Sequence, residues 1–314
     1  MRMILLLLAV LPALALAQGY PAKPVRVIVP FPPGGTTDLI ARIVQAKFQE
    51  HLGQSVLIEN RSGAGGSVGA AEAAKATPDG YTLLMVFDTH AVNHHIFKMA
   101  PDPFKSLEHI SLMVTSPSAL VAVTSYPPNN IREIVADAKA NPEKVTYSTP
   151  GSGSSNHLAA LLFEQYAGIR LTQVAYKGGG PMIQALLGQQ VNITFLSMPL
   201  ILPHIRSGKV KAIATGGRSR APQLPDVPTL GETYPGFTQV SWFGILGPSG
   251  LSKEIIMKVN TDMVRTLRTP EVNQRLTDQG FDIVASSPAE FLSFVQGESD
   301  KLGRLIRDNK IVAE

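Results

Sequence analysis

The sequence predicts an α/β protein whose parallel sheets are covered by helices, and three observations carry that expectation. Short apolar runs alternate with helical patterns along the chain. Two strand-to-helix turns, residues 30–38 and 148–157, share a Gly- and hydroxyl-rich design more than a hundred residues apart. A length of 314 residues suits two domains of ordinary size with real cores. Two such loops, one on each domain, place a ligand between them.

The amino end reads Met1-Arg2-Met3, then an apolar run over residues 4–17 that closes in Ala15-Leu16-Ala17. Its charge, length and A-x-A ending predict a secretory signal peptide cut after Ala17. That run is too short to span a bilayer, and no later stretch reaches the roughly 20 apolar residues a spanning helix needs. The expected mature protein is soluble and exported. With no cysteine, disulfides and thiolate metal sites are excluded and stability rests on packing. The net charge of +4, or +3 without Arg2, includes no basic run, which argues against nucleic acid.

The first unit is a strand at 25–30, a Pro/Gly turn and a helix at 39–51, with Leu39, Ile40, Ile43, Val44 and Phe48 at helical spacing. A strand at 56–59, a Gly-rich loop at 61–66, a helix at 68–76, the turn Pro78-Asp79-Gly80 and a strand at 81–87 follow. Further strands are expected at 120–123, 145–148, 172–175, 191–196 and 210–215. Helices at 131–140, 157–167, 182–187 and 200–207 lie between them. The Pro-rich residues 221–235 read as a long surface connection, and 241–248 as a returning strand. Helices at 253–268 and 288–307 flank a last strand at 281–284.

A strand that breaks through Phe31-Pro32-Pro33-Gly34-Gly35 into a helix leaves backbone N–H groups unpaired at the positive end of the helix dipole. Gly34 and Gly35 permit close approach, and Thr36 and Thr37 add hydroxyls. The alternative is a tight turn capped by Thr37 or Asp38. A carboxylate is expected on the N–H groups of Gly35, Thr36 and Thr37, with Asp38 standing off to bond the turn. The second loop, STPGSGSS at 148–155, opens a helix near Asn156 and His157 and forms a second anion candidate.

Other chemistries fit less well. Gly65-Gly66-Ser67-Val68-Gly69 matches the nucleophile elbow G-x-S-x-G, but loop residues separate it from its strand. A secreted serine hydrolase using Ser67 is the runner-up function. His90, His94, His95 and His109, with Asp88, lack the spacing of a metal site. Gly151-Ser152-Gly153-Ser154-Ser155-Asn156 misses a dinucleotide fingerprint at its last position, and no phosphate-loop motif is present.

Ordered motifs cover essentially the whole mature chain: YPAKPVRVIVPFPPGGTTD (20–38), ENRSGAGGSVGA (59–70), TPDGYTLLM (77–85), THAVN (89–93) and YSTPGSGSSNHL (147–158). YKGGGP (176–181), LLGQQVNITF (186–195), LPDVPT (224–229) and SWFGILGP (241–248) continue them. In these the chain resembles the substrate-binding components of tripartite tricarboxylate transporters, the Bug receptors. The resemblance implies a two-lobed periplasmic binding protein fold of mixed and parallel sheets, with a cleft that closes on a small ligand. It implies no catalysis and no cofactor. The implied partners are membrane transporter subunits and an organic acid: a dicarboxylate, a tricarboxylate or an aromatic acid. The receptor is expected to be a periplasmic monomer.

The implied layout is residues 18–121 plus 240–314 for one domain and 122–239 for the other. The implied ligand residues are Phe31, Gly34, Gly35, Thr36, Thr37 and Asp38 on one lip, and Ser152, Ser154, Ser155 and His157 on the other. Asp88, Thr89, His90, Lys177 and Gly178 should face or approach the cleft. Asn192 joins them where the family commonly has an acid, and an amide there cannot balance a cationic ligand group. Asp88 stands where small or hydroxyl residues are common. An acid there repels a second carboxylate unless paired, or receives a ligand donor.

Overall fold

Residues 107–123 form one strand that belongs to two sheets, and this shared strand gives the molecule its two lobes. A computed structural model describes residues 19–176 and 179–312, so the leader segment and the candidates Lys177 and Gly178 lie outside the described residues. The first elements are β1 (Val25–Val29), α1 (Thr36–Leu52), β2 (Val56–Asn60), α2 (Ser67–Ala74), β3 (Thr82–Phe87), α3 (Asn93–Ile96) and β4 (Leu107–Val123). Then come α4 (Ile131–Ala140), β5 (Thr146–Thr149), α5 (Ser155–Ala167), β6 (Thr172–Ala175), α6 (Gly179–Leu187), β7 (Ile193–Ser197), α7 (Met198–Arg206) and β8 (Val210–Thr215). The chain closes with α8 (Leu230–Thr233), β9 (Val240–Pro248), α9 (Lys253–Arg268), α10 (Pro270–Asp278), β10 (Asp282–Ile283) and α11 (Pro288–Asp308).

The first sheet runs β2-β1-β3-β9-β4-β10, parallel among β1, β2 and β3 and antiparallel at β9, β4 and β10. The second runs β8-β4-β7-β5-β6, with β4 antiparallel to β7 and β8. β4 leaves the first ladder at Pro117, opposite Val240, and enters the second at Ser118, opposite Ser197. Proline has no N–H for a ladder, and here it stands where the strand changes partners.

Only residues 120–123 of β4 were legible as strand, because serines interrupt the apolar pattern upstream. They are buried and bonded instead: Ser111 Oγ donates to Ser286 O at 2.9 Å, and Ser116 Oγ to Gly280 O at 2.9 Å. Beside this crossing the chain returns from the second sheet. Gly216 N–H donates to Ser118 O (2.7 Å) and Gln239 N–H to Gly216 O (2.8 Å). A Cβ at Gly216 would meet Gln239 O at 2.2 Å, so only glycine fits there.

The strands of the first sheet are covered on both faces. Val25, Val27 and Val29 of β1 join Ile40, Val44 and Phe48 of α1 and Val259 and Met263 of α9, whereas Ile28 points into the other core. Each such burial stabilises the fold by about 1.5–3 kcal/mol. α11 packs on β4 and against α5, bracing both lobes. The Pro-rich connection is less superficial than expected. It contains α8, capped by a reciprocal Thr229–Glu232 box, and it buries Ala221 and Leu230 in the core.

Candidate functional site

A cavity of about 420 Å³ opens between the two strand-to-helix turns. Phe31, Pro32, Gly35, Thr36 and Thr37 line one side, and residues 150–156 the other. Ser118, Ser197 and Ser241, at the strand crossing, lie between them with Phe243. Phe87, Thr89, Asn93 and Phe97 add to the first lobe's wall, and Met182, Leu196 and Leu200 to the second's. Among the described lining residues no side chain is charged. A wider depression of about 640 Å³ lies by Lys139, Glu164 and Arg170, away from both turns.

On the first lip the helix starts at Thr36, three residues earlier than its apolar pattern suggested, with Gly35 as cap. Neither Thr37 nor Asp38 is the cap. Asp38 instead sits in the first turn and takes Gly34 N–H at 2.9 Å, Arg42 Nε at 2.9 Å and Asn60 Nδ2 at 3.0 Å. Burial pushes the Asp38 carboxyl up, but these three donors outweigh it and hold it below the usual carboxylate range. Gly35 N–H donates to Pro32 O at 3.3 Å, so it is not the free donor that was expected. Thr36 and Thr37 supply first-turn N–H groups without intrahelical acceptors, and both line the cavity.

The second lip is built the same way. Ser154 caps α5 by accepting from His157 N–H at 3.3 Å, and its own hydroxyl donates to Gly151 O at 2.7 Å. Gly153 N–H donates to His157 Nδ1 at 3.0 Å, which fixes that ring nitrogen as the unprotonated one. The His157 ring stacks on Tyr147, with centroids 6.5 Å apart. Ser155 and Asn156, the first helical residues, line the cavity with their N–H groups in the first turn.

The structure brings Phe31, Gly35, Thr36, Thr37, Thr89, Ser152, Ser154 and Ser155 to one cavity. Gly34, Asp38 and His157 stand behind them, bonded within their own turns. Thr89 donates to Gly65 O at 3.0 Å. His90 is buried outside the cavity lining, and burial together with His109 and His94 pushes it down to about 3. Asp88 also lies outside the lining, and its Oδ2 accepts from Ser155 Oγ across the cleft at 2.6 Å. Asn192 is elsewhere: its Oδ1 accepts from Thr146 N–H and Thr146 Oγ1 at the start of β5, whereas the cavity meets the opposite strand ends.

The rival chemistries find no machinery. Ser67 is fully buried, and its Oγ has no hydrogen-bond partner among the described residues, so it is neither accessible nor activated. The His94 and His95 rings lie 3.9 Å apart, tilted by 41°, and no described group of three His, Asp or Glu side chains could hold a metal ion. No described helix is long and apolar enough to cross a membrane.

Sequence reasoning missed Phe87, Asn93, Phe97, Ser118, Met182, Leu196, Ser197, Leu200, Ser241 and Phe243. Ser197 had a signal, since it marks a third strand-to-helix switch, from β7 into α7. The others are strand and helix positions that only the meeting of two sheets turns toward one space.

The chain matches, over residues 40–311, a family model described as tripartite tricarboxylate transporter family receptor. It is 34% identical to Protein BugT of Bordetella pertussis over 296 residues, 93% of this chain and 91% of that one. The structure of periplasmic binding protein BugD superposes with a TM-score of 0.83 at 32% identity, covering 94% of this chain and all of the other. That of R. palustris Rpa4515 with adipate gives 0.85 at 30% identity, over 94% of this chain and 100% of that chain.

Proposed function

This chain belongs to the tripartite tricarboxylate transporter receptor family, and on that premise we propose that its two lips clamp a small carboxylate. It is a solute-binding receptor serving a membrane transporter of the tripartite tricarboxylate type. The observation that carries the ligand reading is a cavity with the first turns of α1 and α5 on its walls and no charged side chain among its described lining residues. A carboxylate there takes its hydrogen bonds from backbone N–H groups and hydroxyls, and both helix dipoles favour it. Adipate in a similar protein's structure supports an organic acid of that size.

The ligand residues proposed are Phe31, Thr36, Thr37, Ser152, Ser154 and Ser155 with Thr89, and Gly34, Gly35, Asp38 and His157 shape the two turns. The lobes proposed are residues 18–121 with 240–314, and 122–239, supported by the change of partners within β4. The receptor works as a monomer in the periplasm after cleavage behind Ala17, and it performs no catalysis. A fluorophosphonate probe should leave it unlabelled.

The test is calorimetric titration with adipate and related carboxylates on wild type and Thr36→Pro. Proline suits the first helical position, and the preceding Gly35 is already extended (φ −74°, ψ 167°). The variant should keep the fold while losing two donors, the Thr36 N–H and its hydroxyl. A charge-assisted bond is worth roughly 1.5–3 kcal/mol, so binding should weaken about ten- to a hundredfold. Wild-type affinity in a normally folded Thr36→Pro protein would remove the first lip from the site.

A further inference from the structure

Asp88 is an anomaly of this cleft. It lies in a 3-10 turn after β3, 5% exposed, at the junction of the two lobes. Its Oδ2 accepts from the hydroxyl of Ser155, the first residue of α5 and part of the cavity wall, at 2.6 Å. Its Oδ1 is buried with no hydrogen-bond partner among the described residues. An ionised carboxylate spreads charge over both oxygens and needs donors on each. This one is half satisfied, and no cation pairs with it among the described ion pairs.

The ionisable groups on the packed elements do not remedy this. α11 contributes Glu298, whose carboxylate holds Lys301 at 2.6 Å. α3 carries His94 and His95, both pushed below the ordinary imidazole range by burial, and the turn itself carries the neutral His90. α5 brings His157, whose Nδ1 is occupied by Gly153 N–H. β3, β9 and the turn at residues 64–66 bring none. Burial therefore pushes Asp88 up to about 8, and the charge of Glu298 adds to it. The Ser155 hydroxyl, and the nearby Thr89 N–H and Ser241 hydroxyl, neither of which makes a hydrogen bond to Oδ1, pull the other way without reversing it.

We propose that Asp88 is a positioning residue of the carboxylate site, and that its proton decides whether the Ser155 hydroxyl gives or takes a hydrogen bond toward the ligand. The inference rests on the carboxylate reading above. With Asp88 protonated, its O–H donates to Ser155 Oγ, and the Ser155 hydroxyl is free to donate into the cavity. With Asp88 ionised, Ser155 must turn its proton back to Asp88. The cavity then meets an oxygen lone pair with a buried anion behind it, and both repel a carboxylate. At pH values above the Asp88 titration, capture of a carboxylate therefore takes up one proton from solvent, which comes to rest on Asp88.

The first measurement needs no ligand. Difference infrared spectroscopy of wild type should show a protonated-carboxyl band that titrates away around pH 8 and is missing from Asp88→Asn. A midpoint in the ordinary carboxylate range would overturn the inference. The second is adipate titration between pH 6 and 10. Wild-type affinity should be flat to about pH 8 and then fall about tenfold per unit, with one proton taken up. Asp88→Asn, whose amide mimics the protonated acid, should bind as wild type does at pH 7 and stay flat. Ser155→Ala should bind more weakly at pH 7 and lose most of the alkaline decline. Parallel declines in wild type and Asp88→Asn would sink the proposal. Failure of adipate to bind any of them at pH 7 would fall on the proposed function, and the infrared midpoint would then decide this inference alone.

Discussion

In the first turn Gly34 N–H, just before the helix cap, is taken by a carboxylate at the third helical residue, Asp38. In the second turn Gly153 N–H, at the same place, is taken by an imidazole at the same helical position, His157. Both side chains reach back four residues and lock a glycine-containing loop, which leaves the next amides facing the cavity. The charges differ. Asp38 brings a negative charge to the first turn of α1 and is balanced by Arg42 and Asn60, whereas the first turn of α5 carries no acid. An acid at a helix N-terminus offsets the positive end of the dipole. The α5 lip should therefore attract a ligand anion more strongly, and the α1 lip should be the more firmly built.

The difference in build gives the largest expected effect. Asp38→Ala leaves Gly34 N–H and Arg42 Nε without this acceptor, takes from Asn60 Nδ2 one of its two acceptors, and should lower unfolding stability by about 3 kcal/mol, whereas His157→Ala should lose about half of that. Urea denaturation of both variants measures it, and equal losses would show that the charge adds nothing. Because the Asp38 carboxyl is held low, its contribution is complete above the ordinary carboxylate pKa and is lost as pH falls through the folded value. The gap between wild type and Asp38→Ala should thus narrow below about pH 4.

Making the lips alike sharpens the electrostatic half of the comparison. His157→Asp places an acid on α5 where α1 already has one. Two unit charges about 5 Å apart at an effective dielectric near 20 repel by about 3 kcal/mol. With screening, carboxylate affinity measured by calorimetry should fall about ten- to a hundredfold. An unchanged affinity would place the anion on the α1 lip alone.

The caps give the smallest effect. Ser154→Ala removes the α5 cap and should lower stability by about 1 kcal/mol, whereas Gly35→Ser on α1 should change it by only a few tenths. In the latter a Cβ meets Pro32 O at 3.3 Å, and that crowding offsets the new cap. Thermal unfolding of the pair measures both. A gain of a full kcal/mol from Gly35→Ser would mean that Asp38 does not already satisfy this turn.

The sequence alone determined the two strand-to-helix turns, the α/β class and the lip residues Phe31, Thr36, Thr37, Ser152, Ser154 and Ser155. Each is set within a dozen residues, by glycines, hydroxyls and apolar spacing that act locally. Tertiary structure decided the rest. The family resemblance pointed both Asn192 and Asp88 to the cleft. Yet Asn192 caps the far end of β5 through Thr146, and Asp88 lies behind Ser155. Phe243 and Ser118 gave no local sign, because strands β9 and β4 reach the cavity only where one chain crosses between two sheets. Local backbone chemistry repeats every few residues and can be read in line. Which side chains share a space depends on contacts between residues far apart in the chain, and no period in the sequence encodes those.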